Sequence, residues 1–281
     1  MTVRFGERVR AALHERGPLC VGIDPHQSLL QSWGLEDSAA GVREFGLRTV
    51  DAAVGRVGLV KPQVSFFERF GSAGFAALED VMGAARDAGL IVIADAKRGD
   101  IGTTMDAYAA AWLTPGSPLE ADALTVNPFL GVGTLHSTFE RAESSGKGIF
   151  VLAATSNPEA GSVQQARSEA GATVSAEIVD DVSAYNVRTT AAGNWGSLGF
   201  VIGATVDWAD AGLTHFAPPA PILAPGFGAQ GAGPADLGTR FGANASMVIA
   251  SESRSILSGG PNGLIARIDE RVAAYQEALN V

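Results

Sequence analysis

Two carboxylates and two cations fall within the six positions Asp95-Ala96-Lys97-Arg98-Gly99-Asp100. A carboxylate beside an ammonium can set fixed charge against charge that develops in a reaction, or relay a proton. Asp95 and Lys97 are two residues apart, so on an extended strand they project to one side. Gly99 permits a tight turn. Asp100 then opens a helix on which Thr104, one turn on, shares its face. Each residue also has an ordinary explanation. Asp95 could accept backbone hydrogen bonds, Asp100 could be a helix N-cap, and Lys97 and Arg98 could be solvated. The set resists that explanation because Asp24 and Lys61, after two earlier apolar runs, point to the same mouth. Burying so many charges is costly unless they pair or act.

A second cluster is Pro225-Gly226-Phe227-Gly228-Ala229-Gln230-Gly231. A glycine-rich loop lets backbone N–H groups approach a phosphate, and Arg254 can add a bidentate contact to phosphate oxygens. With 35 glycines in the chain, the loop alone says little. Its place beside Gln230 and Arg254 gives it weight.

These residues sit at the ends of short apolar runs. Strands are expected over 19–23, 57–60, 90–94, 122–126, 148–153, 198–202, 221–224 and 246–250. Helices are expected over 39–54, 73–88 with Gly89 as C-cap, and 174–191. Runs apolar on both faces belong to parallel sheets, and strict alternation of strand and helix implies right-handed crossovers. Eight such units point to an α/β fold of the TIM (β/α)8 barrel class, with an open doubly wound sheet as the alternative. One domain over 1–281 is expected, with the crossover after strand five enlarged at 159–194. Barrel sites lie at the C-terminal strand ends, with phosphate cradled after strands seven and eight. Asp24, Lys61, Asp95, Lys97, Ser156, the 225–231 loop and Arg254 are all at such ends.

The net charge of −10 and pI near 4.9 disfavour nucleic acid as a partner. A single cysteine, Cys20 in an apolar run, can build neither an intrachain disulfide framework nor a Cys-based zinc site, and reads as a buried inert thiol. His14, His26, His136 and His215 lack ligand spacing, so no metal is expected. The N-terminus has no apolar signal-peptide core, and no apolar run reaches the roughly 18–20 residues of a membrane span. A cytoplasmic protein without a membrane partner is the expectation.

The stretch Asp95-Ala-Lys97-Arg-Gly-Asp100-Ile101-Gly-Thr-Thr104 resembles the Asp-x-Lys-x-x-Asp signature of the orotidine 5′-phosphate decarboxylases. Ile23-Asp24-Pro25, Val60-Lys61-Pro62, Asn127-Pro128-Phe129-Leu130-Gly131, Thr155-Ser156-Asn157-Pro158 and Pro225-Gly-Phe-Gly-Ala-Gln230 follow in the family's order, so the resemblance spans essentially the whole chain. The Asn-Pro and Thr-Ser-Asn-Pro elements resemble the larger bacterial branch. The resemblance implies conversion of orotidine monophosphate to UMP and CO2 without metal or cofactor. It implies that Lys97 protonates C6 while Asp95 lies by the departing carboxylate. Lys61 and Asp95 would hold Lys97 in a charged network completed by Asp100 of the partner subunit in a homodimer. Asp24 and Lys61 would meet the ribose, helped by Thr104 of the partner, and Ile101 would join the substrate contacts. Ser156 would bind the pyrimidine, and Pro225, Gly226, Gly228, Gln230 and Arg254 the phosphate region.

Two other readings compete. A hexulose-phosphate synthase shares the Asp-x-Lys-x-x-Asp frame but uses Mg2+; Lys61 and the Thr-Ser-Asn-Pro element speak against it. A nucleotide-sensing barrel would have lost catalytic residues, and none is lost here.

Overall fold

The computed structural model describes residues 3–279. Its strands are β1 (Leu19–Ile23), β2 (Leu59–Pro62), β3 (Ile91–Arg98), β4 (Ala123–Val126), β5 (Gly148–Ala154), β6 (Leu198–Ile202), β7 (Ile222–Pro225) and β8 (Val248–Glu252). They pair in parallel in chain order, and β8 closes on β1. The barrel is therefore closed, and the open-sheet alternative falls. Every residue of β1, β4 and β6 is buried, because such strands lie between the barrel interior and an outer layer of helices. The outer helices present one apolar face inward. The helix Ala39–Ala53 buries Val42, Phe45 and Val50, and its first turn is capped by Ser38, which accepts from the Gly41 N–H.

Three strands are placed differently from the apolar runs. β3 continues four residues past Ala94 to Arg98, β2 is shifted to Leu59–Pro62, and β8 to Val248–Glu252. Asp95, Lys97 and Lys61 thus stand within strands. Backbone pairing carries on where the apolar side chains stop: Gln63 bridges to Asp95, and Arg98 pairs with Val126.

The long crossover after β5 contains a 3-10 turn, Pro158–Ala160, a short helix, Gly161–Gln164, and the helix Val174–Thr189. The last ends two residues before the expected 191. Its buried Asn186 donates to the Leu198 carbonyl at 2.7 Å and so ties the crossover to β6.

The N-terminal helix Phe5–Arg16 lies across the lower end of the barrel, opposite the candidate site. Its fully buried Phe5 packs edge-on to Phe150 of β5. Glu7 accepts from the Trp195 N–H just ahead of β6 at 2.7 Å. Arg8 pairs at 2.6 Å with Asp122, whose other oxygen accepts from the Val92 N–H of β3. Among the described residues no helix is long and apolar enough to cross a membrane.

Candidate active site

Strand order and register bring β1, β2 and β3 side by side, with Gly22 paired to Lys61 and Gln63 to Asp95. Asp95 is buried and uses both carboxylate oxygens. Oδ2 accepts from Lys61 Nζ at 3.0 Å; Oδ1 accepts from Lys97 Nζ at 2.5 Å and from Thr125 Oγ1 at 3.0 Å. Beyond Lys61, its ammonium lies 3.7 Å from Asp24 Oδ1, a buried oxygen without a hydrogen-bond partner. Asp24, Lys61, Asp95 and Lys97 therefore form a row of alternating sign across three strands.

The charges explain how the row tolerates burial. Burial pushes the Asp95 carboxyl upward, but Lys61 and Lys97 outweigh it and bring it down to about 2. Burial would likewise depress the Lys61 ammonium, yet Asp24 and Asp95 reverse this and raise it. Cys20, beneath them, is buried and pushed up to about 12, chiefly by burial, with Asp24 and Asp95 adding to it and Lys61 opposing. A thiol so protonated is inert at neutral pH.

The row floors a cavity of about 280 Å3. Of the residues singled out from sequence, it is lined by Asp24, Lys61, Asp95, Lys97, Ser156, Pro225, Gly226, Gln230 and Arg254. Arg254 is exposed, and among the described residues its guanidinium has neither an ion-pair nor a hydrogen-bond partner, so its donors are available to a ligand.

Asp100, Ile101, Thr104 and Gly228 do not line this cavity. Asp100 does not open the helix as expected. The helix begins at Gly102, two residues later, because Ile101 keeps an extended backbone. The Asp100 carboxylate instead accepts from the Ile101 N–H at 2.8 Å. The shared helix face of Asp100 and Thr104 is thereby lost: only Thr104 is helical, and it is exposed. The sharp turn also lies elsewhere. Lys97, with φ 48°, is the only non-glycine residue with positive φ among those described. Gly99 is needed for space, since a Cβ there would lie 2.5 Å from the Asn127 carbonyl.

Gly228 shapes the glycine-rich loop from behind. Its N–H donates to the Ala232 carbonyl at 2.7 Å. Its φ is +72°, and a Cβ would fall 2.3 Å from Ser255 Oγ and 2.9 Å from Glu252 Oε2. That wall is itself held: fully buried Glu252 accepts from Ser255 Oγ and Tyr275 Oη, each at 2.6 Å, and from Arg271 Nε at 3.0 Å. Burial and the Glu252 charge push the Tyr275 phenol far up.

Gln63, Gly203, Ser251 and Ser253 in the cavity wall and Thr125 behind Asp95 were not singled out from sequence, and Thr155 and Asn157 only as part of the motif around Ser156. Two of these carried a signal. Gln63 is two residues from Lys61, and Thr125 is the lone polar residue of an apolar strand.

Comparison with known proteins agrees with this geometry. Residues 17–261 match the family described as "Orotidine 5'-phosphate decarboxylase / HUMPS family". The orotidine 5′-phosphate decarboxylase of Corynebacterium efficiens is 48% identical over 98% of both chains. That of Streptomyces coelicolor is 50% identical over 92% of this chain and 91% of its own. A solved structure from Streptomyces avermitilis superposes with a TM-score of 0.94 at 47% identity, covering 99% of this chain and 97% of that one. The OMP decarboxylase of Leishmania donovani superposes with a TM-score of 0.77 at 28% identity, over 98% of this chain and 100% of that one. By sequence over nearly its full length and by the closed barrel that carries these residues, the chain is an enzyme that belongs to the orotidine 5′-phosphate decarboxylase family.

Proposed function

We propose that the chain decarboxylates orotidine 5′-monophosphate to UMP and CO2, the last step of de novo UMP synthesis, with its own side chains as the catalytic groups. The observation that carries the reading is the buried Asp95 carboxylate shared between Lys61 and Lys97 at the cavity floor. In the reaction the bond from C6 to the carboxylate breaks and its electron pair stays on C6. That carbon is sp2, and no π-system takes up the charge. Positive charge fixed in advance next to C6 lowers the barrier, because the groups need not reorganise as the charge appears. Lys97 supplies that charge and then its proton, completing the C6–H bond; the neutral amine regains a proton from solvent. Asp95, beside the departing carboxylate, keeps Lys97 in place and repels the substrate's negative charge in the ground state.

The remaining contacts orient the nucleotide. The unpartnered oxygen of Asp24 accepts a ribose hydroxyl, with Lys61 next to it. Ser156 meets the pyrimidine. Pro225, Gly226, Gln230 and Arg254 surround the phosphate, and Gly228 sets the loop's shape. Phosphate binding far from C6 can drive organisation of the site, as remote binding energy does elsewhere.

Asp100, Ile101 and Thr104 complete the site of a second copy in a homodimer. Two features support this. None of them lines its own cavity, and the neighbouring loops expose Ile101 (59%), Phe129 (78%) and Leu130 (49%), an apolar surface expected to be covered. The whole chain acts as one barrel domain, with residues 159–194 an enlarged crossover, working in the cytoplasm where its nucleotide substrate is made.

A spectrophotometric assay with orotidine monophosphate tests the reading. Wild type turns over, EDTA leaves the rate unchanged, and Lys97→Ala loses nearly all activity. Loss of turnover in EDTA that Mg2+ restores would point to the synthase chemistry. Tight UMP binding without turnover would point to a sensor.

A further inference from the structure

We infer that Thr125 is a positioning residue for the reaction: its buried hydroxyl clamps the left-handed Lys97 backbone to the Asp95 carboxylate and so aims the lysine ammonium. The inference rests on the reading of Lys97 and Asp95 given above.

The β3–β4 ladder is regular at Ile93 with Ala123 and at Ala94 with Leu124, and it resumes at Arg98 with Val126. Between these points the three residues Asp95, Ala96 and Lys97 stand opposite Thr125 alone. The surplus residues bulge, and Lys97 takes up the distortion with φ 48°, a region that a side chain with a Cβ rarely occupies. Such a conformation persists only where the surroundings hold it. The holding group is Thr125. Its Oγ1 accepts from the Lys97 N–H at 2.9 Å, a donor the bulge has taken out of the ladder. With that contact made, the hydroxyl proton goes to Asp95 Oδ1 at 3.0 Å. The same oxygen receives Lys97 Nζ at 2.5 Å. One hydroxyl therefore touches both ends of the Lys97–Asp95 pair, from the backbone and from the carboxylate.

Thr125 is fully buried and is not part of the cavity wall, so it acts through its neighbours and not on the substrate. Only a group that both accepts and donates can do this. Valine has the same shape and does neither; serine does both. Without the hydroxyl, Lys97 is free to relax to a negative φ, which swings its side chain out of register with Asp95.

The test compares Thr125→Val and Thr125→Ser with wild type at a temperature where circular dichroism shows all three folded. Thr125→Val is expected to lose about a hundredfold in kcat, the scale of an ångström-sized misplacement, with KM within about twofold, while Thr125→Ser recovers most of kcat. A role confined to stability would lower the melting temperature and leave kcat alone. The crystal structure of Thr125→Val adds a readout that needs no turnover. Lys97 is expected to leave the left-handed region and its Nζ to draw away from Asp95. If Lys97 keeps its conformation in that variant, or kcat is unchanged, the inference is overturned. Absence of orotidine monophosphate turnover in the wild type would instead overturn the reading of the reaction.

Discussion

Lys61 and Asp95 form an ion pair 3.0 Å long with side-chain exposures of only 5% and 7%. Removing one member of a buried pair leaves the other charged and unpaired, which typically costs about 3–5 kcal/mol. Lys61→Met is expected to fall at the lower end of that range, because Lys97 still neutralises Asp95 in part, and to lose turnover as well. Urea denaturation followed by fluorescence reads the first effect and the decarboxylation assay the second. A loss below about 1 kcal/mol, the scale of an exposed pair, would show that the two charges are not held as described.

The same row makes stability depend on acid. The Asp95 carboxyl sits at about 2 in the fold, below its ordinary 3.8. A depressed carboxylate contributes stability above its unfolded value and gives it up as pH falls through the folded one. The window is thus from about pH 4 down to about pH 2, and the amount is on the order of 2 kcal/mol. Lys61 is raised, so its contribution is complete below its ordinary value and is lost only in strong alkali. Asp95→Asn is less stable than wild type at neutral pH, and the gap should narrow across the acid window. Melting curves between about pH 2 and 6 measure it. A gap independent of pH would contradict the assignment of the low value to Asp95.

Arg254 lines the cavity, pairs with no described residue, and is the proposed phosphate ligand. Hydrogen bonds to a charged group are worth about 1.5–3 kcal/mol, so Arg254→Ala should raise KM for orotidine monophosphate by about ten- to a hundredfold. Orotidine, which lacks the phosphate, should be handled alike by variant and wild type. An equal loss on both substrates would place Arg254 elsewhere in the chemistry.

Shared sites have a signature in mixing. In the proposed homodimer, Lys97→Ala and Asp100→Ala are each expected to be inactive alone. In the mixed dimer one site carries both lesions and the other neither. An equimolar, fully exchanged mixture should recover about a quarter of wild-type activity, since half the dimers are mixed and each has one sound site. Recovery that stays at the level of the separate variants, with exchange demonstrated by tagged subunits, would remove Asp100 from the partner's site.

Much of this architecture can be read from the amino acids, and what escapes does so for a physical reason. Eight apolar runs locate eight strands because a parallel strand covered on both sides must be apolar on both. The apolar pattern stops short where pairing outlasts apolarity. β3 runs on through Asp95 and Lys97 because their charges are neutralised by each other and by Lys61, a condition set by β2 and not by local sequence. The row of charges was legible from strand-end positions. Its supporting hydroxyl left only a faint mark, one polar residue in an apolar strand, because a strand threonine has no evident task until its two partners are known. Asp100 misled for a related reason. An aspartate ahead of an apolar periodic stretch looks like a cap, yet the extended backbone at Ile101 delays the helix.

The helix Phe5–Arg16 has a bearing on traffic. With Phe5 wedged beneath β5 and Glu7 and Arg8 fastened to the strand starts on either side, the barrel is stoppered at its base. Its interior is packed side chains and no conduit. Guest and products must therefore share one doorway. The next nucleotide must wait there until the last has departed. Turnover in such a vessel is a queue, and a surplus of product at the door slows it by standing in the way.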